Sequence, residues 1–154
     1  MKYGWADGAR HKADAEAVGA EIEALAFAGL VIAEAVVERA EDPASVLHPC
    51  FQWNDTIAAT EYRLEQARLI VRSLVLVRAG ENNEPERIVR AFVCVRQENE
   101  TAKVYISTSA AMQDDDLRSQ VLQQAFRELG WFKRKYGEML EFAKLFAVVD
   151  EMTG

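Results

Sequence analysis

The sequence predicts an α+β fold, and three features of its apolar pattern predict it. Residues 14–40 and 57–74 repeat their apolar side chains every three to four positions. Residues 88–96 alternate them in twos, and residues 117–146 return to helical spacing. A period near 3.6 buries one stripe of a helix and a period of two buries one face of a strand. The expected architecture is an N-terminal helical hairpin, a long central helix, a small three-stranded antiparallel sheet and C-terminal helices. All 154 residues are read as one domain, with a helical lobe over 1–73, a sheet over 74–110 and helices over 111–154.

Each element has a local cause. Residues 14–28 place Val18, Ile22, Leu25 and Ala26 at helical spacing behind Asp14, an N-cap whose carboxylate can accept a backbone amide. Gly29 supplies the left-handed residue that ends helices. IAEAVVERA (32–40) predicts a second helix, stopped by Asp42-Pro43 because the residue before proline leaves helical geometry. A helix, a glycine-containing turn and a second helix have the outline of a helix-turn-helix. The long helix, from about 55 to 73, buries Ile57, Leu64, Ala67, Val71 and Leu74, widened by Tyr62 and Ile70. Its Glu61, Glu65, Arg68 and Arg72 pair along another face.

LVLVRA (74–79) is rich in β-branched residues and reads as a strand. GENNEPE is a loop, and RIVRAFVCVRQ and KVYIST pair as a hairpin across residues 97–102. Asp114, Asp115 and Asp116 suit a helix start. Leu117, Val121, Leu122, Ala125, Phe126 and Leu129 form one stripe behind them. Phe132, Tyr136, Met139, Leu140, Ala143 and Phe146 form a second. Gly130 between the stripes either breaks the helix or is tolerated at about 1 kcal/mol.

Composition excludes several classes. The formal charge is −7, and residues 1–53 alone hold four Lys or Arg against nine Asp or Glu. That is not the usual footprint of a nucleic-acid binder, although a local basic face is compatible with it. No stretch reaches the ~18 apolar residues of a membrane span, and the first residues lack the apolar run of a signal peptide. A cytoplasmic protein with Cys50 and Cys94 as reduced thiols is expected.

DPASVLHPCFQWNDTIAA (42–59) concentrates chemistry-bearing residues. Read as a metal site, His48 and Cys50 would be joined by Cys94 or His11, but structural zinc sites use two tightly spaced pairs and only one is present. Read as a catalytic site, Cys50 would be the nucleophile, His48 the base and Asp55 the orienter. Neighbours two apart rarely point at each other, and nothing marks an oxyanion hole. The structural reading explains more. Pro43 and Pro49 bracket a connector, Asn54 or Asp55 caps the long helix, and Phe51 and Trp53 pack back on its first turn. No catalytic residue, metal ligand or cofactor is expected.

The segment DPASVLHPCFQWNDTIAATEYRLEQARLIVRS resembles a pattern in small bacteriophage and prophage proteins. There it runs DP-x-SPLH, FEWDD, AA and R-x-x-QAR; here it is carried by Asp42-Pro43, Ser45, Leu47-His48, Phe51, Trp53, Asp55, Ala58-Ala59, Arg63 and Gln66-Ala67-Arg68. The C-terminal DDDLRSQVLQQAFRELGWFKRKYGEMLEFAKLFAVVD is similar to the end of those proteins. Val46 replaces a proline of the pattern, and Gln52 and Asn54 replace two acids. The resemblance implies a phage setting, in the host cytoplasm, and no chemistry.

Two non-enzymatic functions follow as expectations. One is a nucleic-acid-associated or regulatory accessory protein touching DNA through Arg63, Arg68, Arg72, Arg87, Arg90, Lys133, Arg134 and Lys135. The other is an assembly module, a homo-oligomer or a binder of a phage or host protein, using its aromatic C-terminal helices or its acidic first third.

Overall fold

The computed structural model describes residues 2–53, 58–80, 85–96 and 102–154, and its class is α+β. Two compact units make up the chain, residues 1–111 and 112–154. The first contains two three-stranded antiparallel sheets where one was expected.

In the first unit, strand β1 (Lys2–Trp5) precedes helix α1 (Ala15–Ala24). Asp14 caps α1 as predicted, its Oδ1 accepting the Ala17 amide at 3.0 Å. The helix stops four residues earlier than its apolar spacing suggested. Phe27 and Leu30 exchange two backbone hydrogen bonds of 2.9 Å around Ala28 and Gly29, whose φ angles are 50° and 80°. Positive φ at both central residues is the turn that matches strand twist. Gly29 therefore serves a β-turn that launches strand β2 (Leu30–Val31), not the helix terminus expected of it. Helix α2 (Ala33–Ala40) follows directly and buries Val36 and Ala40. The predicted helical hairpin is thus two helices separated by a strand, because β2 pairs with a partner far along the chain.

Helix α3 (Ala58–Ser73) buries Ala67, Ile70 and Val71, while Tyr62, expected on that face, is exposed. The predicted helix start at residues 55–57, with the Asn54 and Asp55 caps, lies outside the described residues. Strand β3 (Leu74–Arg78) continues from α3 without a loop. The alternating run of residues 87–96 divides into β4 (Arg87–Arg90) and β5 (Phe92–Val95), and β6 (Val104–Ser107) pairs antiparallel with β5. Strand order is β1-β3-β4 in one sheet and β2-β6-β5 in the other. Ala91 stands between them: its amide donates to the Leu74 carbonyl at 3.0 Å and its carbonyl accepts the Thr108 amide at 2.9 Å. Helix α4 (Thr108–Ala111) ends the unit.

The core joins α1, α2 and α3 to both sheets through Val18, Ile22, Val36, Leu47, Ile70, Leu74, Phe92 and Tyr105. Tyr3 ties these parts together. Its ring stacks on Phe92 at 6.5 Å, its hydroxyl donates to Glu23 at 3.0 Å and its amide donates to Glu16. Burial and the two glutamates push the phenol up to about 12.

The second unit is a helical hairpin. Asp114 caps α5 (Asp115–Tyr136), accepting the Leu117 amide at 2.9 Å, and the helix runs unbroken through Gly130. A turn over 137–142 leads into α6 (Ala143–Thr153). Phe132, Tyr136, Phe142 and Phe146 form an aromatic cluster with centroid separations of 4.9–6.4 Å.

A Cβ on Gly19 would lie 2.2 Å from the Tyr3 ring. An internal Gly→Ala change ordinarily strengthens a helix by about 1 kcal/mol. Here Gly19→Ala is expected to lower stability by roughly 1–3 kcal/mol through overpacking, measured by urea unfolding. In a Tyr3→Ala background the sign should invert, and an unchanged cost there would show that the ring is not the obstacle.

Candidate functional site

The connector between α2 and α3 is held by one carboxylate of α1. Glu21 is paired with Arg39 of α2; its Oε1 also accepts the Ser45 hydroxyl at 3.0 Å and its Oε2 the Val46 amide at 3.1 Å. The Asp42 carboxylate accepts the Ala44 amide at 2.9 Å, turning the chain after α2. Leu47 is fully buried beneath this turn. A short 3-10 turn, His48–Cys50, then brings the aromatics together.

His48 and Trp53 stack at 4.9 Å with planes 10° apart, and Phe51 lies 5.6 Å from Trp53. The Trp53 indole donates to the His48 carbonyl at 3.0 Å, while His48 Nδ1 lies 2.8 Å from the Ala40 carbonyl. Of the residues expected to anchor the connector, Phe51 is buried and Trp53 half-buried. The other two anchors, Asn54 and Asp55, fall outside the described residues.

Cys50 and His48 face different surroundings. Burial pushes the Cys50 thiol up, against the opposing influence of the Ala13 and Lys12 amides and the Lys12 charge. Burial lowers His11, whose ring lies 4.2 Å from that of Trp5. Among the described residues, no group of three or more His, Cys, Asp and Glu is placed to hold a metal.

The eight basic residues named as nucleic-acid contacts are distributed over both units. Arg63 lies 4.9 Å over the Trp53 ring and donates to the Gln52 carbonyl at 3.0 Å. Arg68 is paired with Glu65, and Arg72 donates back to the Arg68 carbonyl at 3.3 Å. Arg87 and Arg90 lie on β4, an exposed edge strand whose register sets Arg87 opposite Arg78. In the second unit Lys133 contacts both Asp150 oxygens at 2.5 and 2.7 Å. Arg134 covers Trp131 at 4.5 Å, and Lys135 lies 5.3 Å from the Tyr136 ring centre. Most of these cations have work inside the fold, and such partners lower their availability to phosphate.

Two features escaped the sequence reading. Glu21 meets partners 18 to 25 residues away, a separation with no local signal. The run Arg10-His11-Lys12 was visible as the densest positive charge in an acidic first third. No protein-family model, curated protein or solved structure matches this chain.

Glu21→Ala would leave Ser45, Val46 and Arg39 without their acceptor and should cost about 1–3 kcal/mol. Trp53→Ala should cost roughly 3 kcal/mol, at the low end for large aromatics because the ring is half-buried. Cys50→Ser should be milder than either. Chemical denaturation ranks them, and a Trp53→Ala cost below that of Cys50→Ser would refute the anchoring role.

Proposed function

We propose that this chain is a non-enzymatic assembly module that associates with a second copy of itself through the helical hairpin 112–154. One observation carries the reading: apolar residues cover more of α6 than its neighbours bury. Phe146 and Val149 are buried, but Leu145, Val148 and Met152 form an adjacent stripe at spacings of three and four that is 45–62% exposed. Leu140 at 87% and Trp131 at 69% exposure are further apolar side chains of the same unit open to solvent, and α5 has no buried residue over its 22 positions. Contiguous patches of this kind mark interaction surfaces in soluble proteins, and a 43-residue hairpin is at the size where association commonly supplies missing burial. A two-fold contact, α6 against its copy, would bury the same stripe on both sides. In the phage setting implied by the sequence resemblance, such a module would be an accessory protein. Among the described residues no helix is long and apolar enough to cross a membrane.

Light scattering on the full chain at micromolar concentration tests this. A mass above 17.3 kDa that returns to the monomer in Leu145→Glu/Val148→Glu is expected. A dilution-independent mass of one chain refutes it. Both positions are exposed, so the variant should retain the helical circular dichroism of the parent.

A second reading, association with nucleic acid, is favoured by topology. Helix α1, β2, α2, α3 and the β5–β6 hairpin follow one another in the order of a winged helix-turn-helix, with β2 pairing the hairpin in the order β2-β6-β5. The β3–β4 hairpin is inserted between α3 and β5. Against it, the exposed face of α3 carries Glu61 and Glu65. Fluorescence anisotropy with duplex and single-stranded DNA decides: binding at low salt that weakens steeply with added salt and is reduced by Arg72→Glu supports this reading. No binding at low salt removes it.

A further inference from the structure

The first unit contains a cavity that carries positive charge and, among the described residues, no carboxylate. Residues 49–52 of the connector line it, and its chemistry does not rest on the assembly proposed above. Strand β1 runs into a loop over residues 6–13 that is fastened at several points. The Ala6 amide donates to the Ser73 carbonyl at 2.8 Å, the Ala9 amide to the Ala6 carbonyl at 3.0 Å, and the Trp5 indole to the Ala13 carbonyl at 3.0 Å. With His11 held against Trp5, the loop presents Arg10, His11 and Lys12 along a cavity of about 270 Å³. Tyr62 and Gln66 of α3 line the same cavity.

Several of its side chains can donate hydrogen bonds. Gln66 is oriented, because its Oε1 accepts the Gln52 amide at 3.3 Å and the NH2 end of the carboxamide remains to donate elsewhere. The Tyr62 hydroxyl, the Lys12 ammonium and the Arg10 guanidinium add donors of different reach. The chain as a whole has 25 acidic residues against 18 Lys and Arg, yet none of the nine lining residues is acidic. A concave set of donors with net positive charge complements a compact anion whose oxygens point in several directions. The guanidinium fork matches phosphate geometry, and the lysine adds a point charge. The volume falls just below the ~300–1,000 Å³ of pockets for drug-sized ligands, which suits a phosphate carried on a small group.

We infer that this cavity binds a phosphate group, either inorganic phosphate or a small phosphomonoester. The two sources share the same donors and differ only in what fills the remaining volume.

The test is a pair of titrations into the full chain at constant ionic strength, with inorganic phosphate and with ribose 5-phosphate, followed by the backbone amide resonances of residues 10–13 and the Gln66 side-chain amide. Saturable shifts with a Kd near or below ~1 mM for at least one anion are expected. Tighter ribose 5-phosphate assigns a phosphomonoester, and equal or weaker binding assigns inorganic phosphate. Arg10→Gln/Lys12→Gln, at exposed positions outside the core, should weaken binding about tenfold, roughly 1.4 kcal/mol. Arg78→Gln/Lys103→Gln removes the same charge away from the cavity and should leave the affinity unchanged. No saturation by either anion at roughly ten times that concentration overturns the inference. Equal weakening in the two double variants also overturns it, because net charge alone would then explain the binding.

Discussion

Ala91 spends its two backbone hydrogen bonds on different sheets. Its amide is taken by Leu74, the first residue of β3, and its carbonyl by Thr108, just past β6. The Thr108 hydroxyl reaches the neighbouring Arg90 carbonyl as well. A buried backbone group left without a partner costs free energy comparable to a lost hydrogen bond. The chain can therefore leave one sheet and enter the other only where both groups are satisfied. Ala91 is 2% exposed and belongs to the core. Through this residue, α3 and β3 on one side and the β5–β6 hairpin on the other acquire a fixed relation. Tyr3 depends on that relation, since it belongs to the first sheet and stacks on Phe92 of the second.

The connector of residues 42–53 depends in turn on the helices that frame it. Glu21 satisfies a hydroxyl and a backbone amide of the connector and an arginine of α2, which converts an irregular stretch into a defined one. Once that stretch is fixed, His48, Phe51, Trp53 and Arg63 stack into one group. Two residues that looked like part of a reactive constellation have defined surroundings within the fold. His48 is occupied by Ala40 and Trp53, and Cys50 turns toward the loop of residues 10–13.

Charge tells a similar story in both units. An acidic chain places many of its cations where they stack or pair internally: Arg63 on Trp53, Arg134 on Trp131, Lys133 on Asp150. Such contacts add modest stability at exposed sites and shield aromatic surface from water. The Arg10–Lys12 run differs because it is gathered on one loop beside a cavity. Apolar surface is divided unevenly as well, with a well-filled core in residues 1–111 and a hairpin in residues 112–154 whose second stripe stays open.

What the sequence alone determined was whatever one element decides by itself. Asp14 and Asp114 announced two helix starts, since a cap is a contact between residues three apart. The β-branched run after Ser73 announced β3, and the alternation through residues 88–96 announced one strand where β4 and β5 stand. Their division was hidden, because Ala91 keeps the period of two while its hydrogen bonds change sheets. Strands of four and two residues, β1 and β2, are too short to show a period and exist through pairing with β3 and β6, more than 65 residues away. No local rule accounts for Gly19 inside α1, and the Tyr3 ring against it explains the missing side chain. The concentration of aromatics at Phe51 and Trp53 was legible in the sequence, whereas the acceptor that holds their connector, Glu21, was not. The cavity beside Arg10 and Lys12 was decided by tertiary structure alone, because it arises where a loop, a turn and a helix from distant parts of the chain close around the same volume.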